Sequence, residues 1–254
     1  MKNINIISIF SIFILMSCCN ESIKTEYYDS GNLRYKISTK SDKKNGKAIY
    51  YYENGIIEEE RYYIDDKLSG PFISYHKNGN VNIKLNFIDS LRIGWGEKYL
   101  PTGELSHLSE NLIIDPDKCI QEPLNNEITP NSINYVNQQI HYTNGEINKS
   151  ESYFFTINNI IGNTQFPLFN KNKTINLSIK LETPRYVNGY AIFFIFDNDY
   201  NLNEYTAEGY VCNLRLYIWD SFLLQGYIIE KDLDSDRSNL YFIYQWLHTK
   251  QEEN

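Results

Sequence analysis

The stretch GKAIYYYENG, Gly46 to Gly55, decides how this chain is read, because two later strings keep its frame: GPFISYHKNG from Gly70 to Gly79 and GWGEKYLPTG from Gly94 to Gly103. Gly31, Gly55, Gly79 and Gly103 stand 24 residues apart, and Gly46, Gly70 and Gly94 keep the same period. A tyrosine precedes each glycine of the first series by four positions, at Tyr27, Tyr51, Tyr75 and Tyr99. An apolar residue follows each by two, at Leu33, Ile57, Val81 and Leu105. A fixed period of this length marks a repeat architecture.

The unit has the chemistry of a β-hairpin. Asn54-Gly55 and Asn78-Gly79 are pairs that accept positive φ at both centres of a type I′ turn, so that turn is expected here. Asp29-Ser30-Gly31 and Pro101-Thr102-Gly103 keep the glycine and vary the rest. Tyrosine and β-branched residues flank the turns, and polar loops such as Asp65-Asp66-Lys67-Leu68-Ser69-Gly70 return the chain. A single hairpin is marginal in water, so the units must stack side by side.

The rhythm G-x-x-x-x-Y-x-x-x-G with an ENG or KNG turn resembles the bacterial MORN-variant repeat, which also occurs in the YwqK-like antitoxin family. The resemblance covers residues 26–110 and implies a single-layer sheet of hairpins that serves as an interaction platform. His76 departs from the pattern where earlier units have a second tyrosine, and Gly94-Trp95-Gly96 departs further, which marks the last unit as a cap.

Ahead of the repeats, Lys2 and the apolar run Ile4 to Met16 form a targeting segment too short to span a bilayer. It ends in Leu15-Met16-Ser17-Cys18, which resembles the lipobox of bacterial lipoproteins. That resemblance implies a signal peptide over 1–17, a lipid on Cys18, an anchor or linker over 18–25, and a lipid-anchored place in the bacterial cell envelope. An ordinary cleaved signal and an uncleaved anchor are the alternatives. Cys119 and Cys212 then remain in the folded body, either paired or as two separate thiols. The formal net charge of −8 supplies no basic stripe, so nucleic acid is not expected as a partner.

After Glu110 the rhythm stops. Pro116, Pro123 and Pro130 lie among Asp, Asn and Glu, which reads as a linker over 111–130. Beyond it the period is two: Thr174 to Glu182 alternates without a break, and further strands are expected at 133–142, 152–160, 189–196, 210–219, 223–230 and 240–247. The fold class is therefore mostly β, a hairpin meander followed by an antiparallel β-sandwich-like domain over 131–254. The last segment, Tyr241 to Leu247, is apolar on both parities, which suggests a central strand, with a helix as the alternative.

Chemistry is sparse. Asp197, Asp199, Asn201 and Glu208 fall at positions 1, 3, 5 and 12 of an EF-hand-like spacing, which makes Ca²⁺ the one cofactor to consider. Leu202 replaces the required glycine and the flanks read as strands, so a polar connection is the competing reading. No GxSxG, HExxH or phosphate-cradling loop occurs, and the four histidines are scattered. Glu58-Glu59-Glu60 and Asp65-Asp66 offer carboxylates for a glycosidase only if two face one cleft.

Twenty-two tyrosines remain as a functional signal, and Tyr27, Tyr51, Tyr75 and Tyr99 are the expected binding face. The reading is a non-catalytic, lipid-anchored envelope protein that holds a protein or glycan on its repeat sheet. An immunity or antitoxin-like protein is the alternative, and an enzyme acting on envelope polysaccharide stands third.

Overall fold

A computed structural model of the 254-residue chain describes residues 21–118, 128–158, 160–161, 168–197, 201–207 and 209–250. The targeting segment, Cys18, Cys119, Asp199 and Glu208 lie outside the described residues. Among those described there is no helix.

The first sheet contains β1 (Glu21–Tyr27), β2 (Leu33–Lys40), β3 (Lys43–Tyr51), β4 (Ile57–Ile64), β5 (Lys67–Leu68), β6 (Gly70–Tyr75), β7 (Val81–Ile88), β8 (Leu91–Arg92), β9 (Gly94–Tyr99), β10 (Leu105–Ile114), β11 (Ile133–Thr143) and β12 (Glu146–Ile147). Consecutive strands pair antiparallel in the order β1-β2-β3-β4-β6-β7-β9-β10-β11-β12, with β5 on β4 and β8 on β7. This is the expected meander.

Its turns correct the expected type. At each ENG-like turn only the glycine has positive φ, as at Gly55 (φ 85°), and the Gly55 amide donates to the Tyr52 carbonyl at 2.8 Å. The ladder shifts register beside it, between Tyr50 and Tyr51. This is a three-residue loop closed by a glycine bulge, not a type I′ turn, which explains why only the glycine recurs. The type I′ geometry sits at the opposite hairpin ends, where both residues of Ser41-Asp42, Asp65-Asp66 and Asp89-Ser90 have positive φ. Short polar side chains tolerate that region better than most.

Side chains then staple each unit to the next. The Tyr28 hydroxyl donates to the Tyr51 carbonyl at 2.7 Å, Tyr52 donates to the Tyr75 carbonyl at 2.8 Å, and the His76 Nε2 lies 3.0 Å from the Tyr99 carbonyl. His76 therefore takes the place of tyrosine in the same staple. At the other margin the Lys44 amide donates to Asp66 Oδ1, and the Leu68 amide to Ser90 Oγ.

The third copy of that contact corrects the domain boundary. The Arg92 amide and carbonyl are satisfied by Asn134, through Oδ1 at 3.1 Å and Nδ2 at 2.7 Å. Asn134 belongs to β11, which pairs with β10 from His107↔His141 to Ile114↔Ile133. The segment expected as an interdomain linker thus joins two neighbouring strands of one sheet, and β11 belongs to the repeat sheet rather than to the sandwich. At the other end β1 already pairs from Glu21, inside the stretch expected as anchor or linker.

The sandwich consists of a three-stranded sheet, β13 (Phe155–Ile157), β14 (Lys173–Leu181) and β17 (Val211–Ile218), and a four-stranded sheet, β15 (Gly189–Phe196), β16 (Leu202–Thr206), β18 (Phe222–Asp232) and β19 (Ser238–Leu247). Leu177, Ile179, Leu181, Cys212 and Leu214 from one sheet meet Phe193, Ile195, Ile228, Tyr241 and Ile243 from the other in one core. Alternation along each strand puts these residues on one face. Cys212 is a free thiol there, pushed up to about 11 by burial. β13 is shorter than the strand expected over 152–160.

The four-stranded sheet is covered on its other face too. Leu112 and Ile114 of β10 pack with Tyr227 and Phe242, and Tyr135 of β11 meets the Phe242 ring edge-on at 5.5 Å. That explains the final strand: β19 lies at the edge of its sheet in the order β16-β15-β18-β19. Its two-sided apolarity reports two covered faces, not a central position in the ladder. Its outer edge is closed by Asn137, whose Oδ1 accepts from the Phe242 amide at 2.6 Å and whose Nδ2 donates to the Phe242 carbonyl at 2.7 Å.

Candidate interaction face

Residues opposite one another in a ladder share a face, and neighbours along a strand alternate. One row of partners runs Glu26–Tyr35–Tyr50–Glu59–Ser74–Ile83–Lys98 across seven strands. Arg61 lies on the same side, opposite Ala48. The other face carries Lys36–Ile49–Glu60–Ile73–Lys84–Glu97. Leu108 continues this second row, and Leu112 and Ile114, on the same parity, pack against the four-stranded sheet.

The structure places Tyr27, Tyr51, Tyr75 and Tyr99 on this second face, beside the glycine turns. Tyr27 is exposed, whereas Tyr75 donates to Glu60 Oε1 at 2.8 Å and Tyr99 donates to Glu97. Glu60 also pairs with Lys47, and Glu97 with Lys84. Lys47 first, then Tyr75, holds the Glu60 carboxyl below its ordinary value against the opposing effect of burial. Tyr51, Tyr75 and Tyr99 also supply the backbone carbonyls that the staples use.

On the Arg61 face the aromatic residues are different ones. The Arg61 guanidinium lies 4.6 Å from the Tyr50 ring centre and 5.8 Å from that of Phe72. Tyr50 in turn meets Tyr35 at 6.0 Å, and Phe72 meets Phe87 edge-on at 6.0 Å. Arg61 donates through Nη2 to Glu59 and through Nη1 to the Tyr63 hydroxyl at 3.2 Å. Burial first, then a hydrogen bond with Tyr63, pushes the Tyr50 hydroxyl up to about 12. Ile37, Ala48 and Tyr63 are buried here against Tyr35, Tyr50 and Leu68, all members of the same sheet.

Among the described residues, two polar atoms of this face are buried without a hydrogen-bond partner, Arg61 Nε and Ser74 Oγ. Such atoms are uncommon in folded proteins and call for a reason. Ser74 is only 7% exposed, directly across from Glu59. None of Arg61, Ser74, Phe72 or Phe87 stood out in the sequence. A signal was present: these positions change from unit to unit, with Ala48, Phe72 and Gly96 in one column and Ile37, Arg61 and Leu85 in another, while the turn glycines do not.

The carboxylates considered for a glycosidase are dispersed or paired. Glu59 and Glu60 point to opposite faces, each paired with a cation, and Asp65-Asp66 form a turn. Asp197 accepts from the Asn201 amide at 2.8 Å and from the Asn203 side chain at 3.3 Å, and Leu202 begins β16, while Asp199 and Glu208 of the EF-hand-like spacing lie outside the described residues. Among the described residues no group of three or more His, Cys, Asp or Glu is arranged to hold a metal. Two of the scattered histidines do meet: His107 and His141 approach to 3.3 Å between Nδ1 atoms, and burial, then His141, then Lys98 lowers the pKa of His107.

No curated protein matches the chain. Three consecutive segments, residues 21–41, 44–65 and 68–89, match the MORN repeat variant, a kind of repeat that commonly mediates binding and is typically non-catalytic.

Proposed function

We propose that this chain is a non-catalytic interaction scaffold of a bacterial envelope, tethered by a lipid on Cys18, that holds a protein partner on the Arg61 face of its repeat sheet. The observation that carries the reading is Arg61 itself, half-buried between Tyr50 and Phe72 on a face that, among the described residues, is packed by members of its own sheet. Arginine and tyrosine in such partly desolvated settings dominate the energetics of protein interfaces. A glycan fits less well. Arg61 lies over Tyr50, and Lys44 lies over Tyr63 at 5.1 Å, so cations occupy the ring surfaces on which sugars stack. The tether is supported by Leu15-Met16-Ser17-Cys18, and only Cys19 and Asn20 separate Cys18 from β1.

The test uses neighbouring residues of β7 that face opposite ways, Phe87 on the Arg61 face and Asn86 on the other. Each is replaced in turn by a photo-crosslinking phenylalanine analogue, and the cells are irradiated. A protein adduct from position 87 and none from 86 is the expected result; the reverse pattern overturns the assignment. For the tether, Cys18→Ser is expected to abolish fatty-acid labelling and to release the chain from the membrane fraction.

A further inference from the structure

We infer that the partner docks on this face through an acidic side chain, whose carboxylate takes the unused edge of the Arg61 guanidinium. The inference rests on the scaffold reading and adds the chemistry of its partner. Arg61 spends Nη2 on Glu59 and Nη1 on Tyr63, while Nε donates to nothing. Nε and Nη2 together form the side-on fork that matches the two oxygens of a carboxylate. Nε is buried in the free sheet, so a docking carboxylate reaches the fork by drawing the partly exposed Arg61 side chain outward, where it shares or displaces Glu59 and satisfies Nε. Within the sheet, Glu59 occupies only one tine of that fork, because it stands on the same strand two residues away.

Charge on the face agrees. Its ladder positions include Lys24, Lys44 and Lys98 besides Arg61. The carboxylates Glu26 and Glu59 are both taken, Glu26 by Arg34 and Tyr35, and Glu59 by Arg61. An otherwise acidic chain of net charge −8 thus turns available cations toward the open side of this sheet. Complementary charge of this kind guides association and sets the register of docking.

The experiment uses the full chain in neutral detergent, titrated with a glutamate-rich decapeptide and observed at the Arg61 Nε–H NMR resonance. A lysine-rich decapeptide, an oligogalacturonate and anionic lipid vesicles serve as separate probes. The glutamate peptide is expected to shift the Arg61 signal, with affinity falling about tenfold or more when salt is raised from low to high ionic strength. Arg61→Lys, which keeps the charge and loses the fork, is expected to weaken binding about tenfold. An unmoved Arg61 signal overturns the inference, as does a Lys variant that binds like wild type. So does preferential binding of the galacturonate or the vesicles, which would assign the face to an acidic glycan or to lipid. Persisting adducts at position 87 beside a silent peptide titration would leave the scaffold reading standing and remove only the acidic partner. Absence of both would remove the scaffold reading as well.

Discussion

Glu110 should make the junction between the two sheets sensitive to pH, and replacing it by glutamine should abolish that sensitivity. The carboxyl is buried on β10, with Oε2 accepting from Asn137 Nδ2 and Gln138 Nε2 at 2.6 Å each. Burial raises its pKa from 4.5 to about 7, the amides of Gln138 and then Asn137 pulling the other way. The native state therefore holds this proton more tightly than the unfolded chain does. Its stabilising effect is fully present below the unfolded value of 4.5 and is lost as pH rises through about 7. At about 1.4 kcal/mol for each pH unit between the two values, ionised Glu110 costs about 3 kcal/mol above pH 8.

Glu110→Gln keeps an oxygen for both amides and removes the charge. Urea unfolding of the two proteins should nearly coincide at pH 5, while at pH 8.5 the variant should be more stable by about 3 kcal/mol. Amide exchange at Phe242, which is bonded through Asn137 to the same cluster, should slow in the variant at the higher pH. A stability difference that stays constant between pH 5 and pH 8.5 would refute the argument, because it would mean that Glu110 does not change its charge state across that range.

Asn137→Ala should destabilise the chain by about 3 kcal/mol in thermal or urea unfolding, because it strips the Phe242 amide and carbonyl of their partners and leaves them buried. Gly226→Ala should cost about 3 kcal/mol or more, or prevent folding, since a Cβ there would stand 2.1 Å from the Phe194 carbonyl oxygen; soluble expression and melting temperature report it. Tyr52→Phe should cost about 1 kcal/mol through the lost staple to the Tyr75 carbonyl. Tyr52→His should recover most of that loss, as His76 does one unit later, and a histidine variant no better than phenylalanine would count against the staple.

The repeat was legible because its cause is local. A hairpin loop that needs positive φ at one residue selects glycine whatever lies above the sheet, so Gly31, Gly55, Gly79 and Gly103 recur in the sequence. The turn type was misread for the same local reason: Asn-Gly suits two geometries, and only the register shift beside each loop tells them apart. Alternation in Thr174 to Leu181 likewise announced a half-covered strand, and β14 is one. Much less of the candidate site could be read. Tyr50, Tyr51 and Tyr52 look equivalent in sequence, yet the first supports Arg61, the second lends its carbonyl to a staple and the third makes one.

The sequence by itself determined the 24-residue unit, the hairpin meander and the change to period-two strands, since each follows from backbone sterics and polarity within a few residues. Tertiary structure alone decided that β11 closes the repeat sheet, that β19 is an edge strand covered on both sides, and that Arg61 and Ser74 keep buried polar atoms unpaired. The bonds between Asn137 and Phe242 join residues 105 positions apart, and Arg92 meets Asn134 across 42. Contacts of that separation depend on how whole sheets come together, and no local pattern of residue types encodes them.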